Sequence, residues 1–396
     1  MEPHAIYMSP GDPWVPPRGG QTAFAVQSLN AFGARLAVVA PCEEGTFPVG
    51  RWTTREWKGE KIRLFNIGSL APKNKSVRPL VPRRILYRHK INSYLSSIRE
   101  IETRNLFCDS PELLGVLGKR PWDSFCYRFA GLNNPVAFSR YRSLRFLAPW
   151  FHRNMMRGLK LLHPDVLLAS TDRDTITRYE EDNADYLSGM KLSFFPTRYD
   201  PSVFFPVRKE KIDESVFPKI VVVGRLSWIK GWRLALDVCK LLAQEFPFVR
   251  MTFIGDGEDR ALVEKKIKML NLRDRVVLTG FLPPEKVREE LNDSDLYLST
   301  SFREGWSVAL LEALACGKVC VTSDAGGVSE MIKNGENGEI VDVFEPNAFC
   351  DAIRRSLQIA RSCGRVSSVS LDKSKPYSLQ YFARDLEALW PPLRLE

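Results

Sequence analysis

Short apolar runs separated by longer amphipathic stretches recur through the C-terminal half of this 396-residue chain. Lys219-Ile220-Val221-Val222-Val223, Met251-Thr252-Phe253-Ile254, Val276-Val277-Leu278-Thr279-Gly280-Phe281, Leu296-Tyr297-Leu298-Ser299-Thr300-Ser301 and Val319-Cys320-Val321-Thr322-Ser323 read as strands. The first leads into a loop through Gly224-Arg225-Leu226, the second into the glycine turn Gly255-Asp256-Gly257, and the last into the turn Asp324-Ala325-Gly326-Gly327. Strands alternating with helices predict a parallel, doubly wound α/β sheet. In such sheets ligands bind beyond the carboxyl ends of the strands, where all these loops fall.

One helix in the series departs from the pattern. Val308 to Ala315 is apolar except for Glu312, with Ser307 placed as N-cap and Gly317 as the residue after the C-cap. A carboxylate inside an apolar helix costs several kcal/mol unless something binds it, on the order of what buried charges require. Glu304 stands just before that helix, and the amides of Trp306, Ser307 and Val308 at its start form a ready anion site. Two readings fit: a core helix whose glutamates are internally satisfied, or a site where the amides hold an anion and the carboxylates take hydroxyls. The second is the outline of a nucleotide sugar.

The order Gly224-Arg225-Leu226, Lys230-Gly231, Gly255-Asp256-Gly257, Gly280-Phe281, Glu304-Gly305-Trp306, Glu312 to Gly317, Gly326-Gly327 and Asn334 to Gly338 resembles glycosyltransferase family 4. The resemblance is strong and collinear over about 219–345. In the N-terminal half it is carried by Pro16-Pro17-Arg18-Gly19-Gly20, similar to the family's opening glycine loop, and by Pro196 to Phe204, similar to the segment closing its first domain. It implies a retaining enzyme of the GT-B fold, with two Rossmann-like domains facing across a cleft.

The resemblance also implies roles. Arg225 and Lys230 would neutralise the donor diphosphate, Glu304 would face the donor sugar near its reacting carbon, and Glu312 would take the ribose hydroxyls. Gly19 and Gly20 would allow close approach to the phosphate, and Gly255, Gly305, Trp306, Ser307 and Val308 would complete donor binding. No metal or other cofactor is expected, because fixed positive groups replace the ion. Asp172-Arg173-Asp174 looks like the paired-aspartate metal motif of another transferase fold, but it follows an apolar strand and reads as a helix start. The family's first-domain histidine has no counterpart among His4, His89, His152 and His163; Arg128, in Tyr127-Arg128-Phe129-Ala130-Gly131, stands in the nearest segment.

Charge adds a further clue. Residues 1–200 hold 29 Lys plus Arg against 19 Asp plus Glu, whereas residues 201–396 are balanced, so the net excess of +10 lies in the first half. Ser139 to Arg157 interleaves cations with Trp150, Phe151 and other large apolar groups, with Pro149 interrupting any single long helix. The pattern suits an anionic membrane surface, a lipid diphosphate or an anionic glycan, and equally a solvated basic face. A nucleic-acid binder would explain the basic half but not Glu304 and Glu312, so no nucleic-acid partner is expected. A nicotinamide dehydrogenase is disfavoured because Arg260 stands where the third glycine after Gly255 and Gly257 belongs.

The eight cysteines include no Cys-x-x-Cys pair and read as reduced core residues of a cytosolic protein. No apolar run is long enough to span a bilayer, and the start does not read as a signal peptide. The expected organisation is an acceptor-binding domain over 1–207, a nucleotide-sugar domain over 208–375 and a C-terminal helix over 376–396 returning to the first domain. The expected function is hexosyl transfer from a nucleoside diphosphate sugar to a glycan or lipid-linked acceptor in surface polysaccharide or lipopolysaccharide assembly. The alternative is a catalytically weakened GT-B protein acting as a glycan- or membrane-binding partner.

Overall fold

The computed structural model describes residues 2–15, 20–42, 47–70, 83–98, 100–109, 122–129, 148–207 and 217–394. Gly19, Ala130, Gly131, the linker 209–214 and much of the basic stretches expected to meet an acceptor lie outside the described residues. The chain divides into two compact units, Met1–Thr197 with Phe382–Glu396, and Arg198–Tyr381. The division falls about ten residues before the expected Val207, because Tyr199 is tied by backbone hydrogen bonds to Tyr377 and Leu379 of the second unit. The expected terminal helix is also shorter. Turns of 3-10 helix at Lys375–Tyr377, which contains Pro376, and at Leu379–Tyr381 precede the α-helix Phe382–Leu389.

Among the described residues the first unit holds eight strands: β1 (Ala5–Met8), β2 (Leu36–Ala40), β3 (Trp52–Trp57), β4 (Glu60–Asn66), β5 (Asn105–Cys108), β6 (Ser124–Phe129), β7 (Val166–Ala169) and β8 (Leu192–Phe194). Their spatial order is β3-β4-β2-β1-β5-β6-β7-β8, parallel except for the β3–β4 hairpin. Helices α1 (Gly20–Phe32), α2 (Arg83–Ile98), α3 (Ala148–Leu162), α4 (Arg173–Asp182) and α5 (Ala184–Leu187) accompany them. Asp172 is the N-cap of α4, its Oδ1 accepting from the Thr175 amide at 2.7 Å. Pro149 lies in the first turn of α3, where proline is tolerated because the amide has no partner.

The second unit is a six-stranded, all-parallel sheet of β9 (Lys219–Val223), β10 (Arg250–Ile254), β11 (Val276–Gly280), β12 (Leu296–Ser299), β13 (Val319–Ser323) and β14 (Gly338–Val341), ordered β11-β10-β9-β12-β13-β14. Counting from β9, this is the Rossmann order 3-2-1-4-5-6, with its reversal between β9 and β12. The helices are α6 (Trp232–Glu245), α7 (Arg260–Met269), α8 (Pro284–Asp293), α9 (Val308–Ala315), α10 (Val328–Met331), α11 (Pro346–Ser362) and α12 (Ser368–Ser374), and α13 (Phe382–Leu389) belongs to the first unit. Each unit encloses its own apolar core, one around Ile6, Phe65, Leu106 and Tyr127, the other around Ile220, Leu236, Phe253, Leu298 and Phe349. In the first unit Phe382 packs edge-on against Phe24 and Phe195, so α13 completes that core.

Candidate functional site

The loops after β9 and β12 meet at the point where strand order reverses. Gly231 makes the approach possible: its φ of +68° is left-handed, and a Cβ there would stand 1.8 Å from the Thr300 carbonyl oxygen. Thr300 Oγ1 donates to the Gly231 carbonyl at 3.0 Å, and the Phe302 amide donates to the Ile229 carbonyl at 2.8 Å. A small pocket forms at the seam, lined by Arg225, Lys230, Trp232, Ser299, Thr300 and Ser301 among others.

At this seam Lys230 donates a hydrogen bond to Glu304 Oε1, and Ser301 Oγ donates to the same oxygen at 3.1 Å. Glu304 is the more enclosed partner, its side chain 13% exposed against 31% for Lys230. Gly326 presses on Glu304 from the loop after β13, where a Cβ would lie 2.4 Å from the Glu304 carbonyl oxygen. Ser323 Oγ donates to the Ser301 carbonyl. The carboxylate is therefore held from two loops, and the Glu304 backbone is packed by a third. Arg225 is exposed beside the pocket.

Helix α9 begins as its sequence implies. Ser307 Oγ accepts from the Leu310 amide at 3.3 Å, and Gly317, with φ +73°, follows the Cys316 C-cap. Leu310, Leu311, Ala313, Leu314 and Ala315 are buried, whereas Val308, Ala309 and Glu312 share the less covered face. The Glu312 side chain forms no ion pair among the described residues, and burial pushes its carboxyl up to about 8. A carboxyl held this way gains from any ligand that donates hydrogen bonds to its ionised form.

Trp306 is buried against Tyr377 in an edge-to-face contact of 4.9 Å. Gly305 links it to Glu304. Gly255, with φ +126°, lies against the loop after β9, where a Cβ would come within 2.2 Å of the Gly224 carbonyl. The second unit thus gathers Arg225, Lys230, Gly255, Glu304, Gly305, Trp306, Ser307, Val308 and Glu312 at the carboxyl end of one sheet. Gly20 belongs to the first unit, where it opens α1.

In the first unit, Arg128 on β6 is only 2% exposed, and its guanidinium is held inside by Asp109 Oδ1 at 2.7 Å, Ser170 Oγ at 2.7 Å and Thr197 Oγ1 at 3.3 Å. It lies 3.9 Å over the Phe24 ring, and Tyr7 donates to Asp109 Oδ2 at 2.9 Å. Arg128 is thus an interior ion-pair partner rather than a group open to an acceptor. None of the four histidines takes a strand's carboxyl end: His4 precedes β1, His89 is in α2, His152 bonds Asn183 from α3, and His163 precedes β7.

Sequence reasoning missed Asp109 as the partner of Arg128, and Thr300, Ser301 and Ser323 as the scaffold of Glu304. The run Ser299-Thr300-Ser301 at a strand end was the available signal for the latter. Among the described residues, no cluster of three or more His, Cys, Asp or Glu could hold a metal ion.

These features define the chain as an α/β protein of the GT-B class, built of two Rossmann-like units. Residues 207–368 match the family described as glycosyl transferases group 1. One curated relative, a phosphatidylinositol N-acetylglucosaminyltransferase of Arabidopsis thaliana, is 29% identical over 173 residues, 44% of this chain and 38% of that protein. The chain spans half or less of the length of the curated relatives it matches. Among solved structures, sucrose-phosphate synthase from Thermosynechococcus elongatus is similar with a TM-score of 0.78 at 17% identity, covering 99% of both chains. Anabaena HepE in complex with UDP-glucose gives a TM-score of 0.67 at 16% identity, covering 97% of this chain and 98% of that one.

Proposed function

We propose that this chain transfers a hexosyl group from a nucleoside diphosphate sugar to an acceptor hydroxyl with retention of anomeric configuration. The observation that carries the reading is the convergence of Lys230, Ser301 and Glu304, with Arg225 beside them, at the switch point of the second sheet. In the reaction the sugar–phosphate bond breaks and its electrons leave with the diphosphate, while the acceptor oxygen bonds the same face of the sugar carbon and its proton passes to the departing diphosphate oxygen. Arg225 and Lys230 stabilise that leaving charge, and the start of α9 adds its amides and dipole. Glu304, fixed by Ser301, faces the electron-poor sugar carbon as positive charge develops there. Glu312 accepts hydrogen bonds from the ribose diol.

The donor is a nucleoside diphosphate hexose, a class consistent with the UDP-glucose bound by the Anabaena structure. The acceptor is a glycan or lipid-linked hydroxyl. The phosphatidylinositol in the name of the Arabidopsis relative supports a lipid carrier. Helix α3 supports membrane contact: Trp150, Arg153, Arg157, Lys160 and Leu161 are exposed, while Met156 and Leu159 are buried. No helix among the described residues is long and apolar enough to cross a membrane. We place the activity in surface polysaccharide or lipopolysaccharide assembly at the cytoplasmic membrane face.

A second reading, a glycan- or membrane-binding partner with weakened catalysis, is favoured only by the internal commitment of Arg128 and the absence of a strand-end histidine. Incubation with UDP-hexoses and lipid-linked or free saccharide acceptors, with the product's anomeric proton read by NMR, separates the two. An α-linked product from an α-linked donor supports transfer with retention; no product with any donor that binds supports the second reading.

A further inference from the structure

Three aromatic rings stand in a row at the carboxyl end of the second sheet, and the chemistry above uses none of them. Trp228 lies in the loop after β9, Phe302 in the loop after β12 and Phe344 in the loop after β14. Trp228 and Phe302 are 6.3 Å apart between ring centres and tilted by 31°; Phe302 and Phe344 are stacked at 5.0 Å and 27°. They are 57%, 41% and 39% exposed, so the row is surface rather than core. An exposed run of large rings beside a pocket marks a binding surface, because single scattered apolar residues are ordinary but a contiguous patch is not.

The row adjoins the site along the chain. Trp228 is two residues from Lys230, and Phe302 lies between Ser301 and the loop to Glu304, its amide held by the Ile229 carbonyl. Its polar surroundings select the occupant. Asp342 and Glu345 bracket Phe344, are exposed and form no ion pair among the described residues. Free carboxylates repel a phosphate backbone or an anionic bilayer, and they accept hydrogen bonds from hydroxyls. Flat rings offer a face to the axial C–H groups of a pyranose, where the ring's negative quadrupole meets positive hydrogens. Rings with adjacent carboxylates are therefore matched to an uncharged, polyhydroxylated ligand.

We infer that Trp228, Phe302 and Phe344, with Asp342 and Glu345, form a saccharide-binding platform on the second unit that holds a pyranose of a glycan acceptor beside the transfer site. The inference rests on the transferase reading of that site.

The test is saturation-transfer NMR on the full chain with the methyl glycosides of glucose, galactose, mannose and N-acetylglucosamine, and with maltose and cellobiose. UDP is titrated in parallel. The expected result is transfer to ring C–H protons of at least one saccharide, with binding weakened about three- to tenfold in Trp228→Ala and in Phe344→Ala. UDP binding stays intact in both variants, which also shows that they fold. The platform is overturned if no saccharide gives a signal, or if both variants bind it as the wild type does. It is also overturned if the variants instead lose binding to phosphatidylglycerol vesicles or lose self-association. UDP binding with no saccharide signal sinks the platform alone; absence of both sinks the transferase reading as well.

Discussion

Lys230 is ion-paired with Glu304 across the seam between the loops that follow β9 and β12. The cation assigned to the leaving diphosphate and the carboxylate assigned to the sugar therefore hold each other in place. Each is pre-positioned, so little reorganisation remains when substrate arrives. Lys230 has three donor hydrogens, and Glu304 uses one of them, so a phosphate oxygen can be served without breaking the pair.

Glu304→Gln removes charge from the reacting centre but keeps the shape and the Ser301 hydrogen bond. Turnover falls by about 10²- to 10³-fold, the scale of losing one electrostatic group aimed at developing charge. Nucleotide affinity is unchanged or improved, because Lys230 is left without a counter-charge. Steady-state transfer and equilibrium binding, measured on one preparation, check both halves.

Lys230→Ala acts in the opposite sense. Losing one charge-assisted contact costs about 1.5–3 kcal/mol of diphosphate binding, or roughly ten- to a hundredfold in affinity. The salt dependence of binding also becomes shallower. Titrations at two ionic strengths test this.

Glu312 gives the pH dependence. Burial raises its carboxyl from 4.5 to about 8 in the folded chain. The unfolded chain ionises first as pH rises, so this group's contribution falls from about pH 4.5 to about pH 8 and then levels. Glu312→Gln removes that slope in denaturant unfolding. Donor binding runs the other way: the ribose diol favours the carboxylate, so affinity for a nucleotide sugar rises with pH up to about 8 and flattens above it. A UDP-sugar is the right probe, because its doubly substituted diphosphate does not titrate in this window.

Arg128 predicts a stability effect rather than a catalytic one. Arg128→Met strands Asp109 in the interior and destabilises the first unit by about 3–5 kcal/mol. The double variant with Asp109→Asn recovers part of the loss, since no uncompensated charge remains. Chemical denaturation of both variants measures it.

The second unit was legible in the sequence, because its strands announce themselves as apolar runs, even the edge strand β11, where Val277 is exposed. Lys219–Val223, Val276–Gly280 and Val319–Ser323 fall where the pattern puts them. The α9 helix was legible through its ends, Ser307 and Gly317, and Glu312 through its contrast with apolar neighbours. What was not legible depends on contacts distant in sequence. The Arg128–Asp109 pair joins positions on different strands, and no local pattern links them. The three-ring row is assembled from loops 74 and 42 residues apart in the chain, and each ring alone reads as an ordinary apolar residue. The division after Thr197 has no local signal, and the bridge of Tyr199 to Ser378 beside it joins positions far apart in sequence.

The most direct test of the account is calorimetric titration of UDP-, GDP- and ADP-hexoses into the wild-type chain and into Lys230→Ala. The account predicts that one nucleotide class binds the wild type at micromolar concentration and that Lys230→Ala weakens it by at least about tenfold. Binding of none of them, or equal binding by both proteins, would contradict a diphosphate site at the Lys230–Glu304 seam.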